Sequence, residues 1–229
     1  MKILHRVLAG LAPALALTIA CKAGAMDMAV PGISVRMPIK SLQEVRFNTT
    51  ARQQFDFSCG SAALATLLSH HYNYPISERA IFENMYRDGD QTIIRKQGFS
   101  LLDMQRFLAR RGFKADGFEQ PLEKLLDAGL PAIVLVSENG YNHFVVVKGM
   151  ADGRILLGDP SRGTRSVSLS DFKQLWHNKL LFVIHDYKGL ANFNSPSDWR
   201  AAPMARLAEG ISRSGLESVT LFKHGAGEF

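Results

Sequence analysis

Four residues of this chain have the types and spacing to act together in nucleophilic chemistry: Cys59, His143, Asp159 and Gln53. Cys59 lies in Gln53-Gln54-Phe55-Asp56-Phe57-Ser58-Cys59-Gly60-Ser61-Ala62-Ala63-Leu64, where a polar and aromatic loop gives way to an apolar helical run. A thiol at a helix start faces unpaired backbone N–H groups and the positive end of the helix dipole, which are expected to lower its pKa toward the thiolate. His143 follows the polar turn Glu138-Asn139-Gly140-Tyr141-Asn142, and Asp159 stands just before Pro160. A carboxylate can hold one ring nitrogen of an imidazole while the other shares the thiol proton. Gln53, six residues before Cys59, could donate an amide N–H to a developing oxyanion alongside the Cys59 N–H. Each residue also has an ordinary reading. Cys59 could be an inert buried thiol, His143 a strand-end surface residue and Asp159 a turn former, and Gln54 is a near rival of Gln53. The four in order favour attack on an acyl group.

The elements that must position them follow from periodicity. Leu64, Leu67, Leu68 and His71 recur at helical spacing and predict a helix from Cys59 to Tyr72. Ser77-Glu78 opens a second helix with Ile81, Phe82 and Met85 inward and Gly89 after its end. Ser100, with Asp103 three positions on, caps a third that Gly112 closes, and a short helix covers 121–128. Strands are predicted over 131–136, 143–147, 154–159, 164–168 and 179–185, with a helix over 169–176 between the last two. Ala151-Asp152-Gly153 is a hairpin turn signal, and pairing through it brings His143 and Asp159 to one end of a sheet. Helices followed by consecutive strands indicate an α+β domain, its N-terminal helices packed on a mainly antiparallel sheet.

Composition narrows the function classes. Lys2 and Arg6 precede an uncharged apolar run to Ala20, too short to span a bilayer, and Ala23-Gly24-Ala25 offers a cleavage site. Residues 1–25 therefore read as a secretory signal peptide, and the expected location is the periplasm; lipid anchoring at Cys21 is the less favoured alternative, since the usual Leu is missing three residues before it. Cleavage removes Lys2, Arg6 and Lys22 and no acid, so the net charge of +6 falls to +3, which does not point to nucleic acid. Of the two cysteines only Cys59 then remains, so it forms no internal disulfide. No Gly-rich lysine loop suggests ATP. His70 and His71 are adjacent, and His177, His185 and His224 lack Cys or acidic partners at ligand spacing, so neither a metal nor another cofactor is expected.

These motifs resemble the bacteriocin-processing (C39) cysteine peptidases, which trim double-glycine leader peptides during export. The shared pattern is Gln53, then Cys59-Gly60, then His143-Phe144-Val145-Val146, then Asp159-Pro160 sixteen residues after the histidine, with Gly163 completing Asp-Pro-x-x-Gly. The resemblance covers roughly residues 48–186 and implies a papain-like fold. It also implies Cys59 as nucleophile, His143 as base, Asp159 as its orienter and Gln53 as oxyanion donor. Ser58 stands where the family has Asp, and it is expected still to cap the helix. A free-standing chain with a signal peptide is similar to the exported members associated with functional-amyloid (Fap-type) secretion systems in proteobacteria. By that resemblance the partners are a polypeptide substrate, either an exported protein or a leader, and components of a secretion system.

The resulting organisation is a signal peptide over 1–25, an extended lead-in over 26–47, the peptidase domain over 48–186, and a C-terminal extension over 187–229 with one helix near 201–214. The expected function is an exported cysteine endopeptidase supporting export or assembly of an amyloid-type substrate. A substrate-binding module without essential proteolysis and another papain-like amidase or acyl transferase are the rival readings.

Overall fold

The structure, a computed structural model, describes residues 25–30, 33–38, 40–176 and 179–203. Most of the expected signal peptide and most of the helix expected over 201–214 lie outside the described residues. The chain divides into two units, Met1–Ser41 and Leu42–Phe229. In the first, β1 (Ala25–Val30) and β2 (Ile33–Pro38) pair antiparallel, where an extended lead-in was expected.

The second unit begins with α1 (Leu42–Arg46) and a loop carrying Thr49 to Ser58. The predicted 59–72 helix forms as α2 (Cys59–Thr66) running into a π-helical turn, Leu67–His71. All eight residues of α2 are buried, because α3 (Glu78–Asp88), α5 (Leu101–Ala109) and a sheet strand enclose it. Gly60 makes that packing close: a methyl there would sit 3.1 Å from Phe99 Cβ and 3.2 Å from Met104 Cε. The Ser77 side chain caps α3, and Ser100 with Asp103 forms a full capping box on α5. Between them lies a helix the pattern did not indicate, α4 (Gln91–Gln97), capped by Asp90.

Six strands form one antiparallel sheet in the order β3-β8-β4-β5-β6-β7. They are β3 (Lys114–Glu119), β4 (Ala132–Glu138), β5 (Tyr141–Ala151), β6 (Arg154–Asp159), β7 (Gly163–Ser168) and β8 (Leu180–His185). Alternate residues face two cores. Phe144, Val146, Ile133 and Phe182 pack with α2 to α5. Val145, Val147, Leu157 and Val183 pack with Leu125 of α6 (Glu123–Ala128) and Phe172 of α7 (Leu169–Leu175). The sheet is thus sandwiched between helices, an α+β fold of the papain-like kind.

β5 is the central long strand, and it is irregular. Its register with β6 shifts between Val147 and Gly149, so Lys148 is the extra residue of a β-bulge. β4 ends opposite Val147, at Ala132, and leaves the rest of β5 without a neighbour on that side. The segment after β8 takes its place. Asn194 N donates to Lys148 O at 2.9 Å, and Met150 N donates to Asn194 Oδ1 at 2.7 Å. A methyl at Gly149 would collide with the Asn194 carboxamide. Farther on, α8 (Pro196–Ala201) carries the buried Asp198 to the fully buried Lys148, 3.0 Å away.

Candidate active site

Cys59 is the first residue of α2, and it is buried. Ser58 precedes it but does not cap the helix, contrary to expectation. Its hydroxyl turns back into the loop, donating to Phe55 O at 3.0 Å and accepting from Phe55 N at 3.1 Å. The expected lowering of the thiol pKa is also reversed. Burial pushes the Cys59 thiol up and outweighs the backbone N–H groups of Phe144, Gly60 and Cys59 itself, which pull it down, while the Asp159 charge adds to the rise. The surroundings of the sulfur thus favour its protonated form over the thiolate.

His143 and Asp159 meet because of the bulge. In an unbroken ladder counted from the Ala151–Arg154 pair, Val146 would oppose Asp159 and His143 would point to the opposite face. The extra residue at Lys148 restores the match, since beyond it Val146 pairs with Gly158. His143 then shares a face with Val145 and Val147, and Asp159 with Leu157. His143 Nε2 lies 3.4 Å from Asp159 Oδ2, with both side chains buried. The other ring nitrogen, Nδ1, is buried and has no hydrogen-bond partner among the described residues. The N–H of the next residue, Phe144, is one of those bonded to the Cys59 sulfur. An imidazole bonded to a carboxylate on one side and free on the other, one residue from a thiol contact, can take up a proton.

Asp159 is held by more than His143. Its Oδ1 accepts from Ser161 N at 2.9 Å, Ser161 Oγ at 2.7 Å and Arg162 N at 3.3 Å, and its Oδ2 from Arg165 Nε at 3.0 Å. Burial works to raise this carboxyl. The bonds from His143 and Ser161 and the nearby Arg165 charge outweigh burial and hold it well below the ordinary carboxylate range. Arg165 and Arg162 also pair with Glu138, at 3.3 and 2.8 Å, tying the Asp159 turn to the end of β4. Sequence reasoning missed Arg165, although Asp-Pro-x-x-Gly-x-Arg places it two residues past the turn glycine, on the inward alternation of β7.

Tyr141 was also missed as a site residue. Its ring stacks on His143 with centroids 5.6 Å apart and planes at 23°, and its hydroxyl donates to Asp56 O at 2.8 Å. It thereby joins the histidine side of the cleft to the cysteine loop. Gln53 belongs to that loop as well. Its backbone N donates to Pro160 O at 3.1 Å, next to Asp159, and its side-chain Nε2 donates to Phe55 O at 3.2 Å, leaving a second amide N–H. Gln54 is exposed. The structure thus brings all four predicted residues into one region.

Comparison with known proteins places this arrangement. The peptidase C39 family pattern matches residues 48–188. A protein of Pseudomonas aeruginosa described as "Probable functional amyloid protease FapD" is 38% identical over 157 residues, spanning 68% of this chain and 70% of the relative. A Pseudomonas fluorescens protein of the same description is 37% identical over 165 residues, spanning 72% and 73%. Among solved structures, the peptidase domain of Streptococcus ComA, a bifunctional ABC transporter of a quorum-sensing pathway, superposes with a TM-score of 0.51. It is 23% identical and covers 59% of this chain and 96% of that domain, which supports the fold. Fold and site together define a thiol peptidase acting on polypeptides. The chain belongs to the peptidase C39 family.

Proposed function

We propose that this protein is an exported, periplasmic endopeptidase that cuts a secreted polypeptide, a subunit or accessory protein of an amyloid-type export system, with Cys59, His143, Asp159 and Gln53 as its catalytic residues. The observation that carries the residue roles is the buried His143–Asp159 pair with its unpartnered Nδ1, one residue from the N–H beside the Cys59 sulfur. His143 takes the Cys59 proton through Nδ1 as the sulfur attacks the scissile carbonyl. The carbonyl electron pair moves to oxygen, where the Cys59 N–H and the Gln53 amide stabilise it; for Gln53 the side chain swings from Phe55 O to the substrate. The imidazolium, steadied by Asp159, then gives the proton to the leaving amine, and water releases the acyl group by the reverse path. The amyloid-type substrate is supported by the description of the two Pseudomonas relatives, and export by the apolar N-terminal run with its Ala23-Gly24-Ala25 site.

The test compares the native producer carrying wild-type protein with one carrying Cys59→Ala. Mass spectrometry of the exported proteins should find a cleaved polypeptide only with the wild type, and the peptidase itself in the periplasm, starting at residue 26. Full processing by Cys59→Ala would sink the proposal for the site. A chain retained in the cytoplasm with its first residues intact would sink the proposal for the location.

A further inference from the structure

The bulge at Lys148 decides which way His143 points, so whatever holds the bulge holds the candidate catalytic pair. Lys148 cannot hold itself. An ammonium with no exposed surface needs a counter-charge and hydrogen bonds, and burial already pulls its pKa down. Its closest partners come from two ends of the sequence, and the Thr164 hydroxyl of β7 lies farther off at 3.3 Å. Thr49 supplies a carbonyl and a hydroxyl, each at 2.8 Å, and Asp198 supplies a carboxylate at 3.0 Å. Thr49 also donates to the other Asp198 oxygen, which closes the triangle. The Lys148 stem lies where a methyl on Gly158 would be, 3.0 Å from Cδ, and Gly158 is the residue before Asp159. Asn194 meanwhile takes both free backbone groups around the bulge. Asn192 anchors the same segment to the π-helical turn: its N donates to His71 O at 2.8 Å, and its carbonyl lies 2.5 Å from His71 Nδ1.

We infer that residues 192–198, which lie beyond the C39 match, are a positioning strap of this peptidase: through Asn194 and Asp198 they fix the Lys148 bulge and thereby set His143 against Asp159. The strap touches neither thiol nor imidazole and acts only through the register of β5. The inference rests on the reading of His143 as the base for Cys59.

The full chain is tested with iodoacetamide, which reports thiolate formation at Cys59 without any substrate being known. The variants are His143→Ala, Asn194→Ala and the pair Lys148→Met with Asp198→Leu. Asn194→Ala leaves the buried charges paired, and the double variant removes both charges together, so neither leaves an unpaired ion. Each is checked for folding by thermal unfolding. The expected result is that His143→Ala slows alkylation at pH 7 and removes the imidazole inflection from its pH profile. The two strap variants, still folded, should do the same in part, slowing the reaction by up to about 10²-fold, the order by which a misplacement of about 1 Å slows a preorganised step. If His143→Ala leaves the profile unchanged, the reading of the base has failed and the strap proposal falls with it. If His143→Ala changes the profile while folded Asn194→Ala and the folded double variant match the wild type, the strap proposal alone is overturned.

Discussion

Asp159 stays charged in a buried site because five donor atoms converge on it, and Arg165 is the one whose charge can be removed without touching the reacting atoms. In Arg165→Met the carboxyl should rise toward its ordinary value of about 3.9. The acid limb of the activity profile then moves to higher pH, so the rate falls below the wild type's as the pH drops toward about 4 and stays close to it near neutral. An unchanged profile would show that Ser161 and the turn N–H groups suffice. The four candidate residues that the structure brings into one region were legible because each stands in a local motif with a readable spacing. Arg165 and Tyr141 were not, because what matters in them is contact across strands. The sign of the thiol shift was not legible either. A helix start argues for a lowered value, but Cys59 is buried in a core whose other residues, Ile81, Met104 and Phe144 among them, come from separate elements.

At the scale of elements, the regular pieces were readable from caps and periodicity, and those that escaped have no strong pattern. β3 carries Lys114, Asp116, Gly117 and Glu119 and lies at the sheet edge, mostly exposed, so its pairing with β8 is set by position rather than sequence. α4, at seven residues, is about two turns long and too short to show a period. The bulge was invisible for a related reason: Val145-Val146-Val147-Lys148 reads as a strand whose last residue leaves the core, yet Lys148 is fully buried. Its ion pair gives a stability prediction. Asp198→Ala strands a buried ammonium and should lower unfolding free energy by about 3–5 kcal/mol, whereas Lys148→Met with Asp198→Leu should stay close to wild type. Urea unfolding measures both, and a harmless Asp198→Ala would mean that Lys148 finds enough in Thr49 and Thr164.

At the scale of the molecule, the same region sets the response to acid. His71 lies under the strap beside Lys148, Asp198 and His70. Burial first, and then the Lys148 charge, lower its pKa to about 4 against the Asn192 carbonyl and the Asp198 charge. The folded value is below the unfolded one of about 6.5, so the unfolded chain takes up the proton first as pH falls. This contribution is complete above about pH 6.5 and is lost as the pH falls toward about 4. The urea midpoint of the wild type should therefore drop across that window, and His71→Leu should flatten the drop. Equal slopes in the two proteins would remove His71 from the account.

The contact between Thr49 and Asp198 spans 149 positions. A ribosome adding about 5–20 residues each second makes Thr49, Cys59, His143 and Asp159 well before it makes the carboxylate that closes the triangle around Lys148. Until Asp198 is made, Lys148 lacks the carboxylate that pairs with it in the folded chain. Cys59, His143 and Asp159 are thus complete in sequence long before the segment that packs behind the Lys148 bulge.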